Sequence, residues 1–517
     1  MFLFLSLASS QGLGSSSVQG AFGAVTIDGK IWNQVALRPI IPIGKVSVAL
    51  DIVFYIDQNG NIHDDEWDFS DGKKSRNSII DKIYYIRYGK KWDPFYFQVG
   101  ALDNVTLGKG ILVNRYTNTI LYPQVRKVGM DIKFKVSGFN FYGFTNDFKE
   151  NLGLTGFRVS KNIINGINIG GSLVADRNQY LGLRDSDNDG RPDLVDDFPD
   201  DPLYWLDTDG DGIADVDPNE LDIDGDGVTD TLDSNIPGWD LDSIYVLDTD
   251  IMRKPEPLNV QNRKRSIYAV SLDASKTILA ESNMSVSIYA QFASLIGKTV
   301  DPISAKEVSL GNGFIPFGLS TKLGPARFKF EYRMMPSGKF EFGYWDRSYE
   351  IERATFSSSF MNDNSGLRTG EIITKDSRLG KFGKQKGYFS TLSIDLGELV
   401  GASMSYQNLF GEQWNENERN FNNDRNQSFI AGIGLKKPIS KITNARWYYQ
   451  QRNVPNPFDF EFTESTISGY RVGIKLGNGM ILNYIFRQSF RDIDGDGKVN
   501  GKDETINMTS IETSFSF

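Results

Sequence analysis

The chain has 517 residues, no cysteine, one histidine and a formal net charge of −10. Without cysteine there are no disulfides, thiolate zinc sites or cysteine nucleophiles, and a lone histidine leaves little room for histidine-dependent catalysis. The charge is unevenly spread. Between Asp185 and Asp242 stand twenty Asp and one Glu against one basic residue, Arg191, so this segment carries −20. The remainder holds 55 basic and 45 acidic residues and carries +10. The acidic balance argues against nucleic acid as a partner.

Residues 1–18 form a lead that reads as a signal peptide without its basic start. An apolar core opens at Met1-Phe2-Leu3-Phe4-Leu5, and Ala8 and Ser10 suit a signal peptidase. Further on, no apolar run approaches the ~20 residues of a transmembrane helix; Ile52–Ile56 is typical. A helical membrane protein is thereby excluded. A membrane β-barrel is not, because its strands need only ~10 residues of alternating pattern.

Such alternation recurs along the chain. Val46, Val48, Leu50, Ile52, Phe54 and Ile56 share one face, opposite Ser47, Ala49, Asp51 and Tyr55. Phe328, Phe330, Tyr332 and Met334 alternate with Arg327, Lys329, Glu331 and Arg333. Period two with one apolar face predicts strands. Hairpins are expected from residue 19 to 177, with turns at Ser137-Gly138 and Asn165-Gly166. Eleven more strands are expected from residue 265 to 517. Tight turns such as Lys322-Leu323-Gly324 and Lys437-Pro438 alternate with long polar loops, 336–384, 411–426 and 491–505. Short turns on one rim and long loops on the other is the plan of an outer-membrane barrel. The expected fold is therefore all-β, a transmembrane antiparallel up-and-down β-barrel of roughly 18–20 strands, interrupted by an insert at 178–264. Two strands meeting at Asp28-Gly29 would make twenty, and Phe340–Tyr344 is either a further strand or part of a loop.

At the C-terminus Ile511, Thr513, Phe515 and the final Phe517 share one face. This resembles the C-terminal strand signal of bacterial outer-membrane β-barrel proteins. The resemblance implies a place in the bacterial outer membrane, with the lipid bilayer as partner, the termini periplasmic and the long loops extracellular. Eleven strands counted back from the end put the insert on the extracellular side too.

Within the insert one spacing occurs three times: Asp185, Asp187, Asp189, Gly190, Asp193; Asp207, Asp209, Asp211, Gly212, Asp215; and Asp222, Asp224, Asp226, Gly227, Asp230. Carboxylates at positions 1, 3 and 5 converge when the chain curls around an ion. Gly at position 6 permits the bend, and an all-oxygen donor set suits Ca²⁺. The runs resemble thrombospondin type 3 repeats, which add a later Asp; Asp196 and Asp233 stand at position 12 of the first and third, and Pro218 takes that place in the second. A fourth run, Asp492, Asp494, Asp496, Gly497, Asn500 and Asp503, lies between the last two strands. Calcium is the expected ligand of all four.

Enzyme signatures are missing. No G-x-S-x-G, H-E-x-x-H or Walker A sequence occurs, and His63 sits in a polar loop. The expectation is a channel or porin for small solutes or ions, with Lys133, Lys135, Arg327, Lys329, Arg333, Arg471 and Lys475 lining a lumen that leans toward anions; the competing reading is that they pair with luminal acids such as Asp51 and Glu331 and merely make the wall polar. No plug domain is apparent. The alternative is a calcium-dependent surface adhesion or assembly protein in which the barrel is only an anchor. The sequence leaves the oligomeric state open.

Overall fold

The computed structural model describes residues 17–27, 30–63, 67–122, 125–225, 227, 229–230, 253–360, 368–415, 418–477, 479–491, 499, 501 and 504–516. Strands β1 (Ser17–Ile27), β2 (Lys30–Ile43), β3 (Val46–Leu50), β4 (Ile52–Ile56), β5 (Ile83–Tyr88), β6 (Phe95–Gly100), β7 (Gly129–Val136), β8 (Phe139–Thr145), β9 (Leu154–Asn162) and β10 (Ile167–Asp176) precede the acidic insert. After it come β11 (Ile267–Ala280), β12 (Met284–Ile296), β13 (Lys298–Val300), β14 (Glu307–Ser309), β15 (Asn312–Leu323), β16 (Ala326–Met335), β17 (Ala354–Phe360) and β18 (Arg368–Thr374). The run ends with β19 (Phe382–Leu396), β20 (Val400–Asn415), β21 (Asn420–Leu435), β22 (Ile442–Val454), β23 (Ile467–Gly477), β24 (Met480–Phe490) and β25 (Thr505–Ser516).

One 21-stranded antiparallel sheet holds all of these except two satellite hairpins, β13–β14 and β17–β18. Strands β3 and β4 are one stave interrupted at Asp51, both pairing with β2, so the sheet has 20 staves. It closes on itself: β1 pairs with β25 from Gln19↔Ser516 to Val25↔Ser510. Closure removes the two edges that an open sheet would expose. Ala21–Arg38 spans two strands, β1 and β2, paired antiparallel up to Ile27↔Lys30, and Phe340–Tyr344 belongs to a loop.

Connections at one rim are tight. At the β7–β8 turn Ser137 and Gly138 take φ of 50° and 81°, the left-handed pair that matches strand twist in a two-residue hairpin. The other rim carries 57–82, 101–128, 146–153, 177–266, 297–311, 336–381, 455–466 and 491–504. Helix α1 (Gly72–Asp81) lies in the first of these, its N-cap Asp71 accepting from Lys73 N and Lys74 N. Two single-turn helices, α2 (Tyr349–Glu352) and α3 (Lys375–Arg378), lie in 336–381. Among the described residues no helix is long and apolar enough to cross a membrane.

Polarity across the wall is reversed from that of a soluble barrel. On β16, Phe328 and Tyr332 are exposed while Glu331 and Arg333 are buried. Leu272 is 63% exposed between Ser271 and Asp273, which are 5% exposed each. The apolar face of β3 and β4 points outward and Ser47, Ala49, Asp51 and Tyr55 point in. Leaving rows of Phe, Leu and Ile on the outside costs about 25 cal/mol per Å² in water, and that cost vanishes against hydrocarbon.

Candidate functional site

The lumen is lined by charged pairs from the same or nearby staves. Arg38 donates to Asp51 (2.8 Å) and to Glu512 (2.6 Å), and Gln34 also donates to Glu512 (2.8 Å). Arg158 grips Asp273 with two guanidinium nitrogens. Glu331 accepts from Lys329 (2.7 Å), Arg333 (2.6 Å) and Tyr289 (2.8 Å). Of the basic residues expected to line the lumen, Lys329, Arg333 and Arg471 lie inside the wall and Lys133 is half-buried. Lys135, Arg327 and Lys475 are exposed near the short-turn rim.

Two long loops enter the lumen. The 101–128 loop brings Leu102, Val105, Ile111, Leu112, Val113 and Tyr116; the 336–381 loop brings Phe340, Phe342, Tyr344, Trp345 and Tyr349. Together with inward residues such as Phe144, Tyr289 and Ile315 they form the largest apolar core, inside the barrel. The loops bond to each other: Gly343 N donates to Ile111 O (2.8 Å), Trp345 N to Leu112 O (3.0 Å) and Asn114 N to Trp345 O (3.0 Å). Polarity by itself marks these stretches as surface loops. The overlooked signal was the apolar run Ile111-Leu112-Val113 and five aromatics within Phe340–Tyr349, since apolar side chains in a loop need something to pack on.

Buried ion pairs pin the loops to the wall. Lys127 bonds Glu150 and Glu350, the latter at 2.7 Å. Arg353 bonds Glu150 (2.8 Å) and Asp176 (2.8 Å). Arg452 bonds Asp346 and Glu341, both at 2.6 Å, and Lys375 bonds Glu352 (2.6 Å). Burial opposes the charge of Glu150, but Arg353 and Lys127 outweigh it and hold the carboxyl well below the usual range. Glu352 is likewise held down, to about 2, by Lys375 and Arg452 against its burial. Asp147 goes the other way: burial pushes it up to about 6, with Lys149 opposing.

Two cavities remain, and Arg347, Arg446 and Tyr448 line both. The first is also lined by Arg38, Arg471 and Arg487, and its two acids, Asp51 and Glu512, are both bonded to Arg38. The second adds Lys109, Arg115 and Lys329 against a single acid, Asp346, which Arg452 holds. Burial, and then the like charges of Arg347 and Arg446, pull the Arg115 guanidinium below its ordinary value. Both cavities are thus cationic beyond what their acids neutralise.

In the insert, the first three runs share one backbone. Positions 4 and 6 are left-handed each time: Asn188, Gly210 and Gly225 with φ of 66°, 83° and 67°, then Gly190, Gly212 and Gly227 with φ of 96°, 92° and 91°. The position-6 N–H donates to the position-1 carboxylate: Gly190 to Asp185 (3.0 Å), Gly212 to Asp207 (2.9 Å) and Gly227 to Asp222 (3.0 Å). The position-9 carboxylates bond to position 2: Asp193 accepts from Ser186 N (2.7 Å), Asp215 from Thr208 N (2.8 Å) and Asp230 from Ile223 N (3.0 Å). They thereby lock each loop shut.

Oxygens of Asp185, Asp187 and Asp189 lie within 4.8 Å of one another, as do those of Asp207, Asp209 and Asp211. Asp196 is 7% exposed, and its Oδ2, like Asp185 Oδ1, Asp187 Oδ2 and Asp222 Oδ1, is buried with no hydrogen-bond donor. Burial, then Asp189 and Asp187, push the Asp196 carboxyl up to about 6 against the Phe198 N–H. Converging oxygens without donors fit a hard cation. Asp224 is buried beside the third ring. Asp226 and Asp233, and Asp492, Asp494, Asp496, Asn500 and Asp503 of the fourth run, lie outside the described residues.

No known family model and no curated protein matches the chain. Solved structures similar to it include several from Pseudomonas aeruginosa. OccK10 (OpdN) has a TM-score of 0.35 and 7% identity over 98% of this chain and 99% of that one. OccK5 (OpdH) has 0.35 and 8% over 97% of each. The outer membrane protein opdK has 0.33 and 8% over 97% and 98%. At these values the likeness carries no functional inference. The assignment rests on the chain's own geometry: a closed 20-stave barrel, apolar outside and charged within.

Proposed function

We propose that this protein is an outer-membrane channel for small anionic solutes, with its long loops extracellular and Ca²⁺ held in the acidic insert. The observation that carries the channel reading is the reversed wall, with apolar side chains outward, around cavities where arginines outnumber free acids. Arg and Lys lining a constriction favour anions. Arg347 and Arg446 line both cavities and are the residues a permeating anion would meet in each.

Calcium is supported by the converging oxygens of Asp185, Asp187 and Asp189, joined by Asp196, and by those of Asp207, Asp209 and Asp211. Oxygen-only rings of this kind in extracellular modules bind at about 10⁻⁴–10⁻³ M. The second reading, a surface adhesion protein anchored by its barrel, is favoured by the two loops that fill much of the lumen.

Planar-bilayer recording in a salt gradient separates the two. The channel reading expects discrete current steps and an anion-selective reversal potential, reduced severalfold in permeability ratio by Arg446→Gln with Arg487→Gln. Absence of current from folded protein would favour the anchor.

A further inference from the structure

The two feet of the insert stand on the loop that fills the lumen. On the descending side, Arg353 Nη1 donates to Leu181 O (2.8 Å) and Nη2 to Asn178 O (3.1 Å), and Tyr344 OH donates to the Gln179 side chain (3.1 Å). Asp185, the first carboxylate of the first ring, is four residues beyond Leu181. On the returning side, Arg265 Nε donates to Asp376 (2.7 Å), and the feet are zipped together by Gln179 N to Arg265 O (2.7 Å). Tyr344, Arg353 and Asp376 all belong to 336–381, the loop that also places Trp345 in the lumen core and Arg347 in the lining of both cavities.

The ring itself holds the returning chain. Val260 N donates to Gly190 O (2.7 Å), and Asn259 and Gln261 side chains reach Asp189 O (3.5 Å) and Asn188 O (3.4 Å). These acceptors are the carbonyls of residues 188–190, whose positions depend on the left-handed turns at Asn188 and Gly190. Those turns curl the chain so that Asp185, Asp187 and Asp189 converge. Opening the ring therefore releases residues 259–261, only four residues before Arg265.

We propose that occupancy of the first acidic ring by a divalent cation sets the order of the 336–381 loop and hence the width of the lumen. This rests on the calcium reading above. With the cation bound, the carboxylates are neutralised, the ring holds the returning segment, and both feet brace the loop. Without it, like charges a few ångström apart repel, the carbonyls at 188–190 lose their places, and the bracing at Gln179 and Arg265 weakens. A ligand shifts a conformational equilibrium by the difference in its affinity for the two states, and here only the closed ring offers Ca²⁺ its full donor set.

Amide hydrogen exchange on the full chain in detergent, with calcium and then with EGTA, tests this, alongside calorimetric titration with CaCl₂. Gly343 N and Trp345 N, protected by Ile111 O and Leu112 O, are expected to exchange about tenfold faster after chelation, as local opening becomes cheaper. The hairpin at Val136–Phe139 on the opposite rim is expected to stay unchanged. Asp187→Asn with Asp189→Asn should show the fast pattern in either buffer. Gln179→Ala with Arg265→Ala should bind calcium as before yet lose the calcium-dependent protection; if that pair fails to fold, Arg265→Ala is read alone. Calcium binding with unchanged exchange at 340–349 overturns the coupling. No binding in the titration overturns the calcium reading itself.

Discussion

Arg353 donates from Nε and Nη2 to both carboxylate oxygens of Asp176, at 2.8 and 2.9 Å, where β10 ends and the acidic insert begins. Its Nη1 reaches Glu150 at 2.8 Å. One guanidinium thus ties the lumen loop to the wall, to the 146–153 loop and to the root of the insert. Arg353→Ala would leave buried Asp176 without its cation and Glu150 with Lys127 alone, a loss of about 3–5 kcal/mol. Arg353→Met together with Asp176→Asn and Glu150→Gln should recover part of it. The measurement is the midpoint temperature of the gel shift between folded and unfolded barrel; an Ala variant as stable as the parent would remove Arg353 from this role.

Asp147 provides a pH test. Its carboxyl is raised to about 6 by burial, above the 3.8 of the unfolded chain. A raised acid binds its proton more tightly in the folded state, so stability rises as pH falls through 6 toward 3.8. Asp147 Oδ1 accepts from Val128 N and Lys149 N, which an Asn carbonyl can also do. Asp147→Asn should therefore stabilise the barrel by about 2 kcal/mol at pH 7 and flatten the rise between pH 7 and 5. Glu150 and Glu352, both held below the unfolded value of 4.5, act oppositely. Their contribution is complete above 4.5 and is lost as the pH falls below it toward their folded values. An unfolding midpoint indifferent to pH in parent and variant alike would contradict both assignments.

The outer face distinguishes lipid from water. Leu272 projects outward from the middle of β11. Leu272→Arg should cost about 2–4 kcal/mol at the middle of a bilayer, read as reduced folding yield into lipid vesicles. On a soluble barrel the same change at an exposed site would be within about 0.5 kcal/mol. Equal yields would argue that this face is not against lipid.

The insert should depend on its ions. In calcium, trypsin should cut slowly after Arg184 and Arg253, which are paired with Asp193 (3.2 Å) and Asp215 (3.5 Å), the position-9 carboxylates of the first two runs. In EDTA, self-repulsion should open the loops and cleavage should quicken, with the barrel itself resistant. Identical digestion in both buffers would sink the calcium reading.

The strands were legible because each is a local pattern. Alternation along residues 325–335 or 470–476 needs no distant partner to be read, and eleven strands after the insert, with the tight and long connections in turn, put the insert on the long-loop rim. The D-x-D-x-D-G spacing was legible for the same reason: Gly at position 6 and carboxylates at 1, 3 and 5 act within nine residues. What the lumen contains was not. Ile111 and Gly343, Lys127 and Glu350, Arg353 and Asp176 are each more than 170 residues apart, and no periodicity joins them. Whether Arg38 would line a free space or neutralise Glu512 depended on closure, which brings β25 within reach of β2 across β1. Local alternation and spacing are properties of the covalent chain, so the sequence alone determined the barrel and the acidic rings. The filling of the barrel and the bracing of the insert against it are decided by which distant groups burial forces to share a cavity, and only the tertiary structure makes that choice.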